Sequence, residues 1–168
     1  DYFIRKISPA LVTVILSNNK LHDFKANKAF LITNIKLVDN TNIYALVEIP
    51  SDISRFVVLP KKDNKQYIML IDDIIRYHLE IIFSFLNYSH IEAHMLKITR
   101  SAEFDIDDMD LSKSYIKKIQ EYVNKRKISN PVRLVYDKSI SNTTLAYLIN
   151  KIKITSYDSL IPGGKYHH

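Results

Sequence analysis

The sequence contains no cysteine, and its two glycines, Gly163 and Gly164, stand side by side near its end. Without cysteine there can be neither a disulfide nor a zinc knuckle, which fits a reducing compartment. Without spaced glycines neither a Walker loop nor a dinucleotide fingerprint can be written, because both need glycine at intervals to bring backbone amides onto a phosphate. The same shortage rules out a nucleophile elbow around a serine. Long apolar runs are missing as well. The longest, around Ile81 to Leu86, is interrupted by Ser84 and falls far short of the roughly 18 residues that suggest a membrane span. No basic stretch followed by an apolar one opens the chain, so no secretory signal is visible. No Pro-, Ser- or Gly-rich linker, low-complexity run or solenoid-period repeat divides it. These absences leave one cytoplasmic domain as the expectation, and 168 residues suffice for one core.

What is present begins with charge. Lys and Arg number 24 against 18 Asp and Glu, a net charge of +6. This permits an anionic partner such as nucleic acid, a membrane surface or polyphosphate, but a Lys-rich solvated surface is the favoured reading. Asp1 in place of Met, and the turn-like stretch from Ile161 to His168, are what a piece of a longer protein shows.

Apolar spacing sets the fold class. After an amphipathic opening, Tyr2 to Val14, the stretch from Phe30 to Ile71 alternates with a period of two: Leu31, Thr33, Ile35, Leu37; Ile43, Ala45, Val47, Ile49; Phe56, Val58; Tyr67, Met69, Ile71. Four strands in series are predicted, and the short breaks of turn formers between them favour an antiparallel meander. From Asp72 the period becomes helical, with Ile75, Leu79, Ile82, Phe83 and Leu86 on one face and Asp72 or Asp73 as the cap. A strand from His94 to Arg100 follows. The next helix opens on the acidic run Asp105 to Asp110 and ends on Lys125, Arg126 and Lys127, the polarity that a helix dipole favours. A strand from Val132 to Tyr136 and a short helix from Thr144 to Asn150 complete the pattern. The expected fold is α+β, a two-layer sandwich: a largely antiparallel sheet, a β-meander then alternating α and β, with helices on one face. Only the two ends read as connecting chain.

Three constellations invite chemistry. His90 and His94 flank Glu92, but His94 falls in a predicted strand and the order is not that of a zincin, so polar loop positions are expected rather than a metal site. Asp105, Asp107, Asp108 and Asp110 suggest a calcium loop. Counted from Asp105, however, the sixth position is Asp110 rather than Gly and the twelfth is Ile116 rather than Glu, which leaves an acidic helix start. Arg100 and Lys125 to Lys127, with Lys151 and Lys153, could gather into a surface facing a polyanion, with scattered solvated cations as the blander reading. Tyr115 and Tyr122 sit at core spacing rather than as stacking platforms.

Several segments in order resemble the middle, or head, domain of the bacterial type-one polyphosphate kinases. Tyr2-Phe3 through Ile7-Ser8-Pro9 is similar to the start of that domain. Val47-Glu48-Ile49-Pro50 with Ser54-Arg55-Phe56-Val57 resembles its strand pair, and Leu70-Ile71-Asp72-Asp73-Ile74-Ile75-Arg76 its helix start, with Asp72 in place of Glu. Lys97-Ile98-Thr99-Arg100-Ser101-Ala102-Glu103-Phe104 and Pro131-Val132-Arg133-Leu134 resemble later strands. Asp158 to His167, through Pro162-Gly163-Gly164-Lys165-Tyr166, resembles the family's exit from the domain. Ser101 and Ser129 depart from the pattern. His168 stands where the pattern has Asn, as a purification tag beginning after His167 would leave it.

The resemblance implies residues 1–27 leading in from a preceding domain, a middle domain over 28–158, and 159–168 running on towards catalytic C-terminal domains. It implies a cytoplasmic or membrane-associated homo-oligomer that reversibly moves the terminal phosphate of ATP onto polyphosphate through a phosphohistidine, with magnesium. The family's catalytic and metal-binding residues fall outside this chain, so no catalytic, cofactor or metal residue is carried over, and His167 is not the nucleophile. The expected role is that of a non-catalytic scaffold contacting flanking domains and a second subunit. Polyphosphate is a partner through the parent enzyme, and Arg100, Lys125, Arg126 and Lys127 are the candidates for facing it. A free-standing basic module binding nucleic acid or another polyanion is the alternative, with nucleic acid the less favoured partner.

Overall fold

In the computed structural model, which describes residues 1–16, 28–100, 131–152 and 160–166, the alternating segments pair mostly as antiparallel strands. Val12–Ile15 (β1), Lys28–Leu37 (β2) and Asn42–Glu48 (β3) come first. The β2–β3 hairpin closes through Asn40 in the left-handed region, φ 67°, a conformation asparagine tolerates better than most residues. Asp39 Oδ1 accepts the Thr41 amide hydrogen there at 2.9 Å. Phe56–Val58 (β4) and Ile68–Leu70 (β5) precede Ile71–Tyr77 (α1) and Leu79–Ile82 (α2). Tyr88–Arg100 (β6), Pro131–Asp137 (β7), Asn142–Ile152 (α3) and Leu160–Gly163 (β8) complete the order. Six strands form one sheet in the order β1-β3-β2-β6-β7-β8, and only the β7–β8 pair is parallel.

Strand alternation sends successive side chains to opposite faces of this sheet. Leu31, Ile35, Ala45, Val47 and Met95 join α1, α2, Phe3 and Ile7 in one buried cluster. Phe30, Ile32, Leu46, Leu96, Ile98 and Leu134 join Leu148 and Ile152 of α3 in another. The α+β class and the mostly antiparallel sheet agree with the sequence pattern. The placing of helices on one face does not: α1 and α2 cover one side and α3 the other, because both registers of β2 and β3 are apolar.

Other expectations shift for local reasons. The meander stops at β3, and β4 and β5 form a separate hairpin; the connection runs through Pro50, which has no amide to donate to a ladder. In the β4–β5 connection, Lys62 and Lys65 exchange two backbone bonds of 3.1 and 2.9 Å around Asp63 and Asn64, at φ 52° and 59°. Two left-handed residues are the signature of a tight hairpin turn. Asn64→Val should therefore cost about 1–2 kcal/mol, the left-handed penalty for a branched residue, and Asn64→Gly none, as measured by urea unfolding.

The helix predicted from Asp72 begins at Ile71 with Leu70 as its cap and no side-chain cap bond. Asp72 is buried, and Asp73 is turned to Arg76 and the chain end. The helix divides at His78, whose amide bonds to Ile75 O while its ring Nδ1 lies 2.7 Å from Ile74 O. The ring thus takes the carbonyl that the amide of an unbroken helix would take. His78 also stacks on Phe3, ring centroids 4.0 Å apart. The apolar face survives the break: Ile75, Leu79 and Phe83 are buried, and Ile82 and Leu86 pack against them. β6 starts at Tyr88 rather than His94, so His90, Glu92 and His94 occupy one face of a strand and not a loop. Both ends, read from sequence as connecting chain, contribute strands: β1 pairs with β3, and β8 with β7. The helix expected after the acidic run Asp105 to Asp110 lies outside the described residues.

Candidate functional site

A polar cluster on the described residues lies where β8 ends. Parallel pairing carries β8 beside β7 from Leu134↔Leu160 to Asp137↔Gly163, and the Lys138 amide donates to Gly163 O at 3.1 Å. This register delivers Lys165 and Tyr166 to the first turn of α1, 93 positions earlier in the chain for the Tyr166–Asp73 pair. Asp73 Oδ1 lies 3.0 Å from Arg76 Nη1 and 3.1 Å from Lys165 Nζ, while Oδ2 accepts the Tyr166 hydroxyl. The Arg76 guanidinium and the Lys165 ammonium lie 5.8 and 4.9 Å from the centre of the Tyr166 ring, within cation–π range. Arg76 Nε reaches Ala93 O at 3.4 Å and so ties the group to β6.

The electrostatics reflect this packing. Partial burial alone would raise the Asp73 carboxyl, but the Tyr166 and Lys165 hydrogen bonds, the Lys165 charge and the Arg76 bond outweigh it and hold Asp73 below its ordinary value. The contacts with Tyr166 and then Asp73 push the Lys165 ammonium up. Asp72, one residue away, moves in the opposite direction. Burial raises it despite the charges of Arg55 and Arg76.

A second carboxylate lies beside the first group. Asp137 Oδ1 accepts from the Ser139 amide at 2.9 Å and from its hydroxyl at 2.7 Å, and Oδ2 lies 3.6 Å from His94 Nδ1. Ser139 Oγ spends its one hydrogen on Asp137, so the 3.2 Å contact with His94 Nδ1 makes that ring nitrogen the donor. Glu92 Oε2 stands 3.6 Å from His94 Nε2 and its other oxygen accepts from Asn34 at 3.1 Å. Burial would raise Asp137; the Ser139 bonds and His94 together hold it down. A pocket of about 400 Å³ opens beside Asp137, with Arg76, His94, Lys138 and Lys165 on its walls.

A cleft of about 480 Å³ lies under the Pro50–Arg55 loop, lined by Lys28, Arg55 and Lys97 together with Asp52 and Asp72. Lys28 is held by Glu48 at 2.5 Å and Ser51 at 3.3 Å. These cations were not singled out by sequence reading. Of those that were, Arg100 is placed by its backbone at the end of β6, opposite Pro131 across a bulge. Lys151 lies in the last turn of α3, and Lys125, Arg126, Lys127 and Lys153 lie outside the described residues. Among the described residues no group of three or more His, Asp or Glu side chains is arranged to hold a metal ion. No helix among them is long and apolar enough to cross a membrane.

With this geometry in view, the profile of one known family, described as polyphosphate kinase middle domain, matches residues 1–168. The chain belongs to the polyphosphate kinase middle-domain family. The polyphosphate kinase of Vibrio parahaemolyticus is 34% identical over 173 residues, covering 99% of this chain and 25% of the relative. That of Escherichia coli K12 is 33% identical over 172 residues, covering 100% and 24%. The crystal structure of polyphosphate kinase from Porphyromonas gingivalis superposes with a TM-score of 0.71 at 26% identity, covering 98% of this chain and 22% of that one. The chain thus spans about a quarter of the length of the relatives it matches. Two segments that carried the resemblance, Leu70 to Arg76 and Pro162 to Tyr166, are the two that Asp73 joins in the middle domain.

Proposed function

We propose that this chain is the non-catalytic middle domain of a polyphosphate kinase, an enzyme moving the terminal phosphate of ATP reversibly onto polyphosphate through a phosphohistidine. The observation that carries this reading is the match of the whole chain to the middle-domain family, at a quarter of the length of its relatives. Two features of the residues support it. Phosphate cradles built on glycine need spacing that Gly163 and Gly164 lack. The two carboxylates of the polar cluster also do not fit magnesium: Asp73 is occupied by Arg76, Lys165 and Tyr166, and Asp137 by Ser139 and His94. In this reading magnesium and ATP belong to other parts of the parent enzyme, and no step of phosphoryl transfer is assigned to any side chain here.

The role left for the domain is positioning. It is a block with two buried faces whose flanking strands lead to neighbouring domains, within a cytoplasmic or membrane-associated homo-oligomer. Arg100, Lys125, Arg126 and Lys127 remain the candidates for facing the polymer, and the chain's net charge of +6 suits a polyanionic partner.

The test uses this chain and the full-length enzyme together. Incubated with radiolabelled ATP and magnesium, the 168-residue chain is expected to form no polyphosphate and no acid-labile phosphate. In the full-length enzyme the labelled histidine should map to peptides outside this segment. A phosphohistidine on any of the chain's six histidines would overturn the assignment.

A further inference from the structure

We propose that Asp73 is a positioning residue of the enzyme: by holding Lys165 and Tyr166 against α1, it sets the direction in which the chain leaves this domain. The inference rests on the scaffold reading and adds to it the device through which the scaffold acts.

Asp73 is placed to act as such a device because it meets the chain just past the end of strand pairing. Ladder bonding ends at Gly163, opposite Asp137. The next residue is also glycine, the residue with the widest conformational freedom. A Cβ at Gly164 would meet nothing within 4 Å, so side-chain packing does not fix the turn there. Beyond it, Lys165 is half exposed, at 53%, and Tyr166 is 40% exposed. Core burial therefore contributes little to where these two residues point.

Asp73 supplies a constraint there with one carboxylate and three donors. Lys165 and Tyr166 come from the exit, and Arg76 comes from the same helix. Arg76 is packed, with 14% of its side chain exposed, and reaches Ala93 O of the central strand β6. The exit is thereby referenced to the rigid sheet rather than to a surface loop. Tyr166 is gripped from three sides: its hydroxyl by Asp73, its ring by the Arg76 and Lys165 cations. An isolated exposed ion pair contributes little; a shared carboxylate with two cations and a phenol fixes geometry, and geometry is what a junction between domains requires.

The experiment is done on the full-length enzyme with Asp73→Asn, Lys165→Met and Lys165→Arg, singly, and Asp73→Asn combined with Lys165→Met. Amide exchange at Lys165 and Tyr166 should rise about tenfold or more in D73N and K165M, with protection in β2, β3 and β6 unchanged. The kcat should fall about tenfold while KM for ATP holds, since misplacement of reacting parts costs rate rather than binding. K165R should restore most of the loss, and the double variant should be no worse than D73N, the mark of two residues acting through one contact. If D73N also lowers protection in the core strands, the exposed Lys165 pair, K165M against K165R, decides alone. Unchanged exchange at Lys165 and Tyr166, fully additive effects, or faster exchange with unaltered kcat would each overturn the positioning role while leaving the scaffold reading intact. Only phosphorylation of the 168-residue chain itself would remove that.

Discussion

Phe30→Ala and Leu31→Ala should each destabilise the protein severely, by about 3–5 and 2–5 kcal/mol respectively, although the two residues are neighbours in β2 and point in opposite directions. In a sheet with one wet face, one of the pair would be exposed and its truncation tolerated. Here Phe30 is 1% and Leu31 0% exposed, the former packed in the cluster with α3 and the latter in the cluster with α1. Each truncation leaves a cavity as well as forfeiting burial, and the surrounding strands, paired on both edges, cannot collapse into it. Urea or thermal unfolding of the two single variants measures this directly. A loss below about 1 kcal/mol for either would mean that its side of the sheet is not closed.

Asp137→Ala comes next in size, at about 3 kcal/mol near neutral pH. The carboxylate accepts two bonds from Ser139 and faces His94 at 3.6 Å while 4% exposed. Hydrogen bonds to a charged group, and the donors left buried when it is removed, together reach that magnitude. The pH dependence has a definite sign. The folded-state value of Asp137 lies below 3.8, so its contribution is complete above that pH and is lost as pH falls through the folded value. Asp72 has the reverse signature. Burial raises it above 3.8, so its favourable contribution exists below that pH and disappears as pH rises through the folded value. Unfolding free energies measured from pH 2.5 to 7 should therefore show the D137N deficit shrinking toward acid. D72N should gain on the parent protein as pH rises. Equal pH profiles for the two variants would contradict the two environments.

The contrast between these carboxylates shows where sequence reading stops. Strand existence was legible because Leu31, Ile35, Ala45 and Val47 keep a period of two whatever they pack on. The second buried face was written in the same strands, in Phe30, Ile32 and Leu46. An alternation reading assigns the other register to water unless it is apolar too, and here it is. The break at His78 depends on a ring nitrogen reaching Ile74 O, a bond that helical spacing cannot announce. Asp72 and Asp73 look alike as helix-starting acids. Only the fold decides that one is walled in near Arg55 and the other meets Lys165 and Tyr166. Family resemblance supplied both segments of that junction without saying that they touch. A complementary acid and base far apart in sequence are too common a pair to be informative. Of the basic surface, the sequence named Arg100 and Lys125 to Lys127 as facing a polyanion but carried no sign that Lys28, Arg55 and Lys97 share one cleft, which arises from a loop joining two sheets.

The strand order β1-β3-β2-β6-β7-β8 puts the first strand and the last at opposite rims of the sheet. Five inter-strand steps of about 4.8 Å each separate them by roughly 24 Å. Both described ends nevertheless return to one helix: Phe3 stacks on His78 and Tyr166 bonds to Asp73, five residues apart and so about 7.5 Å along α1. A short Gly-Ser bridge between the ends should therefore leave β1 and β8 in place, as urea unfolding of the permuted protein would measure. In a longer polypeptide the same return makes this block a side branch whose inlet and outlet adjoin, so that an insertion lengthening β8 would push Lys165 and Tyr166 off Asp73 rather than bulge harmlessly to the side.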